Sequence, residues 1–404
     1  MEFNSLQFNK NKETNELEVT LYNLYTFSIP LEDIRKICPV YRVGKNSIDF
    51  EMQNKEKAEG RFNFLISKYI TKLKNKVSNF SAIYVHKNAG IPLIGLQFLG
   101  IVDKGSDMIE VKPITNCNMN CIFCSVDEGP DSSKQIDFIV EEDYILAELE
   151  KLLEFKKKNN PELKFNIWLN PHGEPLLYAP IISLTKRIAQ IKNVGEIHII
   201  TNGMLLNKPM IDAFAENKKT QLNVSISAYD DAKAKEMMGS NAYSIARVIE
   251  MVEYANTKIP VTITPVYVEG HNDAELGKLI DFAKKINCKI AIQKFCFNKF
   301  GRNPIKDKTW DHFFAQLKEL EKEHKLVLLG ELNKIPGSME LPKPFQKDDV
   351  IVAEIMTPGR MRKDKICVAK ERSILVPSCE KINGKIKIKI TQIKYNTFIG
   401  TMVG

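Results

Sequence analysis

The chain has 404 residues, 44% apolar and 27% charged, and carries a net charge of +8 at pH 7. That length suggests two or three domains, and the composition is that of a globular protein rather than a disordered one. Residues 1–16 are polar, without the apolar run of a secretory signal, and the apolar stretch 89–102 is interrupted by Gly, Pro and Gln, so a cytoplasmic protein without membrane contact is expected.

In chain order, residues 1–105 read as an N-terminal α+β domain of unknown role, with strands over 19–29 and 41–52 and a helix over 56–78. Residues 106–300 form the second unit. Here strands expected at 108–114, 165–169, 196–200, 222–226, 261–268 and 290–293 alternate with helices at 141–158, 180–191, 208–216, 242–255 and 274–286. That alternation is the signature of a parallel sheet built from βα units. Such an α/β sheet either opens into a doubly wound fold or curls into a full or partial barrel. In both, ligands gather at the carboxyl ends of the strands.

Residues 301–349 read as a helix and a linker. Trp310, Phe313, Phe314, Leu317 and Leu320 share one face over 308–324, a packing stripe. Pro336, Pro342 and Pro344 then punctuate a connector over 334–349. Residues 350–404 hold eleven Lys+Arg against four Asp+Glu, so nearly all of the net charge sits there. Lys385, Lys387 and Lys389 alternate with Ile386, Ile388 and Ile390, which puts ammonium groups on one face of a strand and apolar groups on the other. Several short strands in this span predict a small β-barrel.

Three of the eight cysteines, Cys117, Cys121 and Cys124, stand as C-x3-C-x2-C directly after the first strand of the alternating region. Clustered thiols in a reducing compartment are more often metal ligands than disulfides. Iron–sulfur clusters usually take four thiolates, so three on one loop leave one iron open to a small molecule. The rival is structural zinc, which wants paired knuckles, and no second pair lies nearby. Cys38, Cys288, Cys296, Cys367 and Cys379 are scattered and read as buried structural thiols.

The cysteine loop in this setting resembles the radical SAM superfamily. The resemblance implies a partial (β/α)6 TIM-type barrel in which Cys117, Cys121 and Cys124 hold a [4Fe–4S] cluster. S-adenosylmethionine would bind the open iron and be cleaved reductively to a 5′-deoxyadenosyl radical, with an electron from a donor such as a ferredoxin or flavodoxin. It further implies that Phe123 lines the adenine and that Gly173-Glu174-Pro175 meets the methionine ammonium. Asn202, Ser225, Ser227, Asn272 and Gln293, at or near later strand ends, would be polar contacts to the same cofactor. His172 beside Gly173 has the chemistry of an acid or base, although a structural or solvent-facing role is the simpler reading.

The carboxy-terminal module resembles a TRAM domain, a small RNA-binding barrel. That likeness makes Arg360, Arg362, Lys363, Lys365, Arg372, Lys385, Lys387 and Lys389 candidate phosphate contacts, with Tyr395 and Phe398 as stacking candidates. Together the two resemblances imply modification of a nucleotide in tRNA or rRNA. Methylthiolation is not favoured, because residues 1–116 contain only Cys38, and no cobalamin motif is present. The alternatives are a radical SAM enzyme acting on a peptide or small metabolite, with the barrel as a docking domain, and a non-enzymatic RNA-binding metalloprotein. No catalytic acid, base or radical relay stands out.

Overall fold

The computed structural model describes residues 1–329 and 337–403; residues 334–336 of the expected connector, Pro336 included, lie outside the described residues. Its centre is a sheet of six parallel strands: Met108–Lys112, Phe165–Leu169, Val194–Thr201, Thr220–Val224, Val261–Ile263 and Lys289–Ile290. They lie side by side in chain order with no reversal, and Gly100–Asp103 pairs antiparallel with the first. Parallel neighbours require crossovers, supplied here by amphipathic helices. Ile181–Gln190, for example, buries Ile181, Leu184 and Ile188, while Ile245–Asn256 starts where the Ser244 side chain accepts from Arg247 N.

Four expected strands are each divided. Residues 19–29 turn between Glu16–Leu21 and Tyr25–Pro30, and 41–52 fold back as Tyr41–Val43 and Ile48–Phe50. The fifth and sixth core strands are split as well. Pro265 has no N–H for a ladder, so the fifth strand stops at Ile263 and the chain resumes as Val266–Tyr267, which pairs with Gln293–Lys294 in a separate two-stranded ladder. The helix expected over 56–78 ends at Tyr69. Ala58, Phe62, Leu65 and Tyr69 form its buried face, and a single 3₁₀ turn, Ile70–Lys72, then carries Leu73 into the core. The chain continues into Lys74–Asn75, a strand of the N-terminal sheet.

That sheet has six strands in the order Leu6–Asn11, Glu16–Leu21, Tyr25–Pro30, Lys74–Asn75, Ser81–Val85 and Ile136–Val140. Its last strand comes from between the first core strand and the first core helix, and pairs in parallel with Ser81–Val85. The first crossover of the core therefore passes through the N-terminal sheet.

Near the carboxyl end, Val350–Pro358, Lys365–Ala369, Arg372–Val376, Gly384–Gln392 and Phe398–Met402 close into a five-stranded barrel. Ile386, Ile388 and Ile390 enter its core while Lys385, Lys387 and Lys389 face solvent, as the alternation requires. Phe398, a stacking candidate, is instead buried in this core with its ring centroid 5.2 Å from that of Phe345.

The barrel is joined tightly to the remainder. Ser373 Oγ donates to Pro92 O at 2.7 Å and Phe398 N to Gly95 O at 2.7 Å. The connector is pinned by a buried ion pair, Lys156–Asp103 at 2.6 Å, whose ammonium also donates to Met339 O at 3.1 Å.

Candidate cofactor and cluster site

The cysteine loop begins where the first core strand ends, and its shape comes from three outside supports. The first is the helix Asp231–Met238, which no periodicity in the sequence announces. Its last residues accept Asn120 N at 3.0 Å (Met238 O) and Ile122 N at 3.1 Å (Met237 O). Gly239 ends this helix with φ +60, and a Cβ there would stand 2.1 Å from Asn120 O, so only glycine lets the two backbones meet.

The second support is Arg302. Its backbone N–H donates to Cys124 O at 2.8 Å, and its guanidinium donates to Cys121 O at 3.2 Å and Glu128 O at 3.1 Å. The third is Glu128, whose N–H donates to Cys124 Sγ at 3.4 Å and whose carboxylate is buried against Lys134 and Arg360. Lys134 also pairs with Asp137 at 2.7 Å, and Asn75 Nδ2 donates to the other Asp137 oxygen at 2.9 Å. This chain of buried polar groups ties the cysteine loop to both flanking domains.

Cys117, Cys121 and Cys124 border one cavity of about 360 Å³ together with Phe123, Gly173, Glu174, Asn202, Ser225 and Gln293. Nine expected residues from five separate strand ends are thus brought together. Ile200, Thr201, Met238, Val266, Lys294, Cys296 and Asn298 also line it. No residue spacing marks these, since they reach the cavity only through strand order and the split of the fifth strand. Cys296, expected to be a buried structural thiol, is exposed and lines this cavity.

Three expected contacts lie outside the lining. Pro175 is buried at the start of a short turn, Pro175–Leu177. Ser227 Oγ accepts from Val266 N at 3.2 Å, and the Asn272 carboxamide donates to Ser227 O at 2.7 Å and Val266 O at 2.9 Å. Ser227 and Asn272 brace the bend after Pro265 instead of facing the cavity.

Glu174 is 1% exposed and accepts from Leu176 N at 3.0 Å, Thr201 Oγ at 2.6 Å and Asn202 N at 2.8 Å. Burial pushes its pKa up to about 7 against the pull of these donors, and no Lys or Arg pairs with it among the described residues. A buried carboxylate without a cation suits an ammonium ligand. The neighbouring Gly173 has φ +149, and a Cβ there would lie 2.2 Å from Asn116 O, so the Glu174 turn is pressed directly onto the start of the cysteine loop.

Removal from water pushes the Cys117 thiol well up and Cys121 to about 12, with the neighbouring cysteines adding to both. Bound iron would offset that by favouring thiolate. Among the described residues no three His, Cys, Asp or Glu side chains converge on a point for a single metal ion.

Of the basic residues assigned to RNA, Arg360 is only 7% exposed and lies 2.9 Å from the Glu128 carboxylate, donating also to Val126 O at 2.5 Å, so it is a domain-docking residue and not a phosphate contact. Arg372 is half-buried and spends its guanidinium on Glu371 O and Pro342 O. Lys363 and Lys389 pair with Glu380 and Asp348 on the surface. Arg362, Lys385 and Lys387 are exposed, and Lys365 is partly so.

A three-thiol loop at the carboxyl end of a parallel sheet, facing a buried unpaired carboxylate, defines an enzyme of cluster and small-molecule chemistry. Residues 111–283 match the radical SAM superfamily, and the chain belongs to it; its cofactors are a [4Fe–4S] cluster and S-adenosylmethionine. It is 31% identical over 377 residues to the uncharacterized protein MJ0103 of Methanocaldococcus jannaschii, covering 85% of this chain and 86% of that one. It is 27% identical to GTP 3′,8-cyclase of Thermodesulfovibrio yellowstonii, over 60% of this chain and 70% of the cyclase. Among solved structures, SuiB of Streptococcus suis bound to S-adenosylmethionine is similar at 16% identity and a TM-score of 0.40, covering 80% of this chain and 69% of SuiB. No described helix is long and apolar enough to cross a membrane.

Proposed function

We propose that this radical SAM enzyme modifies a nucleotide in tRNA or rRNA, its core sheet acting as a partial (β/α)6 barrel and its carboxy-terminal barrel as a TRAM-like grip on the RNA. The observation that carries this reading is the placement of the basic strand. Lys385, Lys387 and Lys389 form an exposed row on the barrel that sends Arg360 to the cysteine loop. RNA held on that row would be held on a body fixed to the cofactor cavity, not on a tethered module.

When bound, the cluster and S-adenosylmethionine supply a 5′-deoxyadenosyl radical that abstracts hydrogen from the substrate. The protein's own residues set the stage for it. Cys117, Cys121 and Cys124 hold iron, Glu174 receives the ammonium, and Thr201 and Asn202 keep that carboxylate in place. Phe123, Ile200 and Val266 provide apolar wall that excludes water. A ferredoxin- or flavodoxin-type donor would supply the electron. Family membership supports an enzyme over a non-enzymatic RNA-binding metalloprotein.

Nucleoside mass spectrometry of tRNA and rRNA from cells lacking the protein tests the reading; an unchanged nucleoside inventory would refute it. RNA affinity against salt tests the grip. Changing the three lysines to Glu is expected to weaken binding and flatten the salt slope by roughly 0.7–0.9 for each phosphate that is no longer neutralised. Deleting the barrel is a poorer test, because it strips Arg360 from the buried Glu128.

A second reading, a free nucleotide as substrate, is favoured by the likeness to GTP 3′,8-cyclase.

A further inference from the structure

A second cavity, of about 410 Å³, lies in the seam between the core and the carboxy-terminal barrel. It shares Ser125, Val126, Asn170, Pro171 and Asn298 with the cofactor cavity, so the two meet. Its size is within the ~300–1,000 Å³ of small-molecule sites.

Its lining combines charge and an aromatic face. Lys112 is 3% exposed, pairs with Glu110 at 3.0 Å and donates to Asn170 O at 2.5 Å. Lys104 pairs with the same carboxylate at 2.6 Å. Lys394 from the barrel adds a third cation to a lining whose one carboxylate, Glu110, is shared by Lys104 and Lys112. The surplus is positive, and the site favours an anion.

Tyr395 completes the wall, 40% exposed, with Lys394 Nζ 4.8 Å and Lys104 Nζ 5.9 Å from its ring centroid. Tyr395 and Asn396 have φ +57 and +52, a left-handed pair that side chains rarely adopt. It is fixed by Asn396 Nδ2 donating to Leu341 O at 3.0 Å and Thr397 Oγ1 to Lys394 O at 2.6 Å. The fold thus holds an exposed aromatic ring at this seam against backbone preference. His172 Nδ1, also at this cavity, is buried without a hydrogen-bond partner among the described residues.

We propose that the seam cavity takes one phosphate-bearing nucleotide unit, with its base stacked on Tyr395, its phosphate held by Lys104 and Lys394, and the reacting ring directed past Asn170 and Pro171 into the cofactor cavity. Base–aromatic stacking tolerates any base, and an ammonium pair suits a phosphate. This deepens the proposed function and rests on its nucleotide substrate. A free nucleotide and a nucleotide splayed from RNA present the same chemistry to such a site, and two probes separate them.

The test uses the full-length, cluster-loaded protein with GTP and unfractionated tRNA as those probes. Affinities are measured for the wild type, Tyr395→Ala, Tyr395→Phe and Lys394→Glu, and for the Lys385→Glu/Lys387→Glu/Lys389→Glu variant. Circular dichroism and cluster absorbance establish that each variant is folded and loaded. The expected result is that Tyr395→Ala and Lys394→Glu weaken at least one probe about 5- to 100-fold, while Tyr395→Phe binds as wild type. GTP binding that depends on Tyr395, without tRNA binding, supports the cavity and refutes the RNA reading. Transfer RNA binding that depends on the lysine row but on neither Tyr395 nor Lys394 refutes the cavity and leaves the RNA reading standing. If neither probe binds, or neither cavity variant matters, the proposal is overturned.

Discussion

Arg360 reaches out of the carboxy-terminal barrel to within 2.9 Å of Glu128, which lies four residues beyond the last cysteine of the cluster loop. The pair is close but off-axis for a hydrogen bond; the Arg360 guanidinium also donates to Val126 O and Asp127 O. Burial pushes Glu128 up to about 7 even with Arg360 and Lys134 beside it. The barrel therefore does more than follow the core in sequence. It neutralises a charge that the cysteine loop has buried.

Removing one partner of a buried pair strands the other charge and costs about 3–5 kcal/mol. Arg360→Met is predicted to destabilise the protein by about that much in urea, and to lower the iron retained after reconstitution. Adding Glu128→Gln to Arg360→Met should recover part of the loss, because no uncompensated charge remains. Equal stability of wild type and Arg360→Met would show that the pair does not hold the loop.

Glu174 makes stability depend on pH. Its carboxyl group titrates near 4.5 when unfolded and is pushed up to about 7 by burial in the folded chain. The folded state therefore holds the proton more tightly, and stability falls as pH rises from about 4.5 to about 7, by on the order of 3 kcal/mol. Glu174→Gln should remove this component when melts at pH 5 and pH 8 are compared. Saturating S-adenosylmethionine should shrink it in the wild type, because an ammonium stabilises the carboxylate. A wild-type difference no larger than that of Glu174→Gln would contradict the assignment.

Gly173→Ala places a Cβ 2.2 Å from Asn116 O, against backbone that cannot rotate away. Iron content after anaerobic reconstitution is predicted to fall well below that of wild type. Gly384→Ala offers a control for conformational strain alone, since its φ is +84 but no atom of the described residues stands within 4 Å of the added Cβ. It should cost about 1 kcal/mol of stability and leave iron content unchanged. Similar iron loss in both variants would count against the close-approach account.

Cys296 lines the cofactor cavity beside the expected ligands, and its sulfur is 4.0 Å from Lys294 Nζ. Changing Cys117, Cys121 and Cys124 together to Ala should abolish iron binding and the reductive cleavage of S-adenosylmethionine. Cys296→Ser should retain the iron and the cluster absorbance of the wild type. Loss of iron from Cys296→Ser would make it a fourth ligand and close the open iron position.

The cluster loop was legible because its three ligands lie within eight residues, a spacing that survives any fold. Gly173-Glu174 and Asn202 were named from the resemblance to the radical SAM superfamily, and they border the cavity because strand ends in βα units converge on one edge of the sheet. The strand Ile136–Val140 was not, since a five-residue apolar run does not say which sheet it joins. Nor was the helix Asp231–Met238, whose eight residues carry no apolar period in the sequence and whose last carbonyls accept from the cysteine loop.

By itself the sequence determined the alternation of strands and helices, the thiol triad and the concentration of positive charge near the carboxyl end, because each depends on neighbours along the chain. Only the tertiary structure decided what that charge does. Lys385 and Lys387 keep the outward places that the alternation already gave them, whereas Lys389 is paired with Asp348, brought beside it by the barrel. Arg360 gives its charge to Glu128, a carboxylate buried beside the cluster loop and shared with Lys134, although Arg360 lies 232 residues further along the chain.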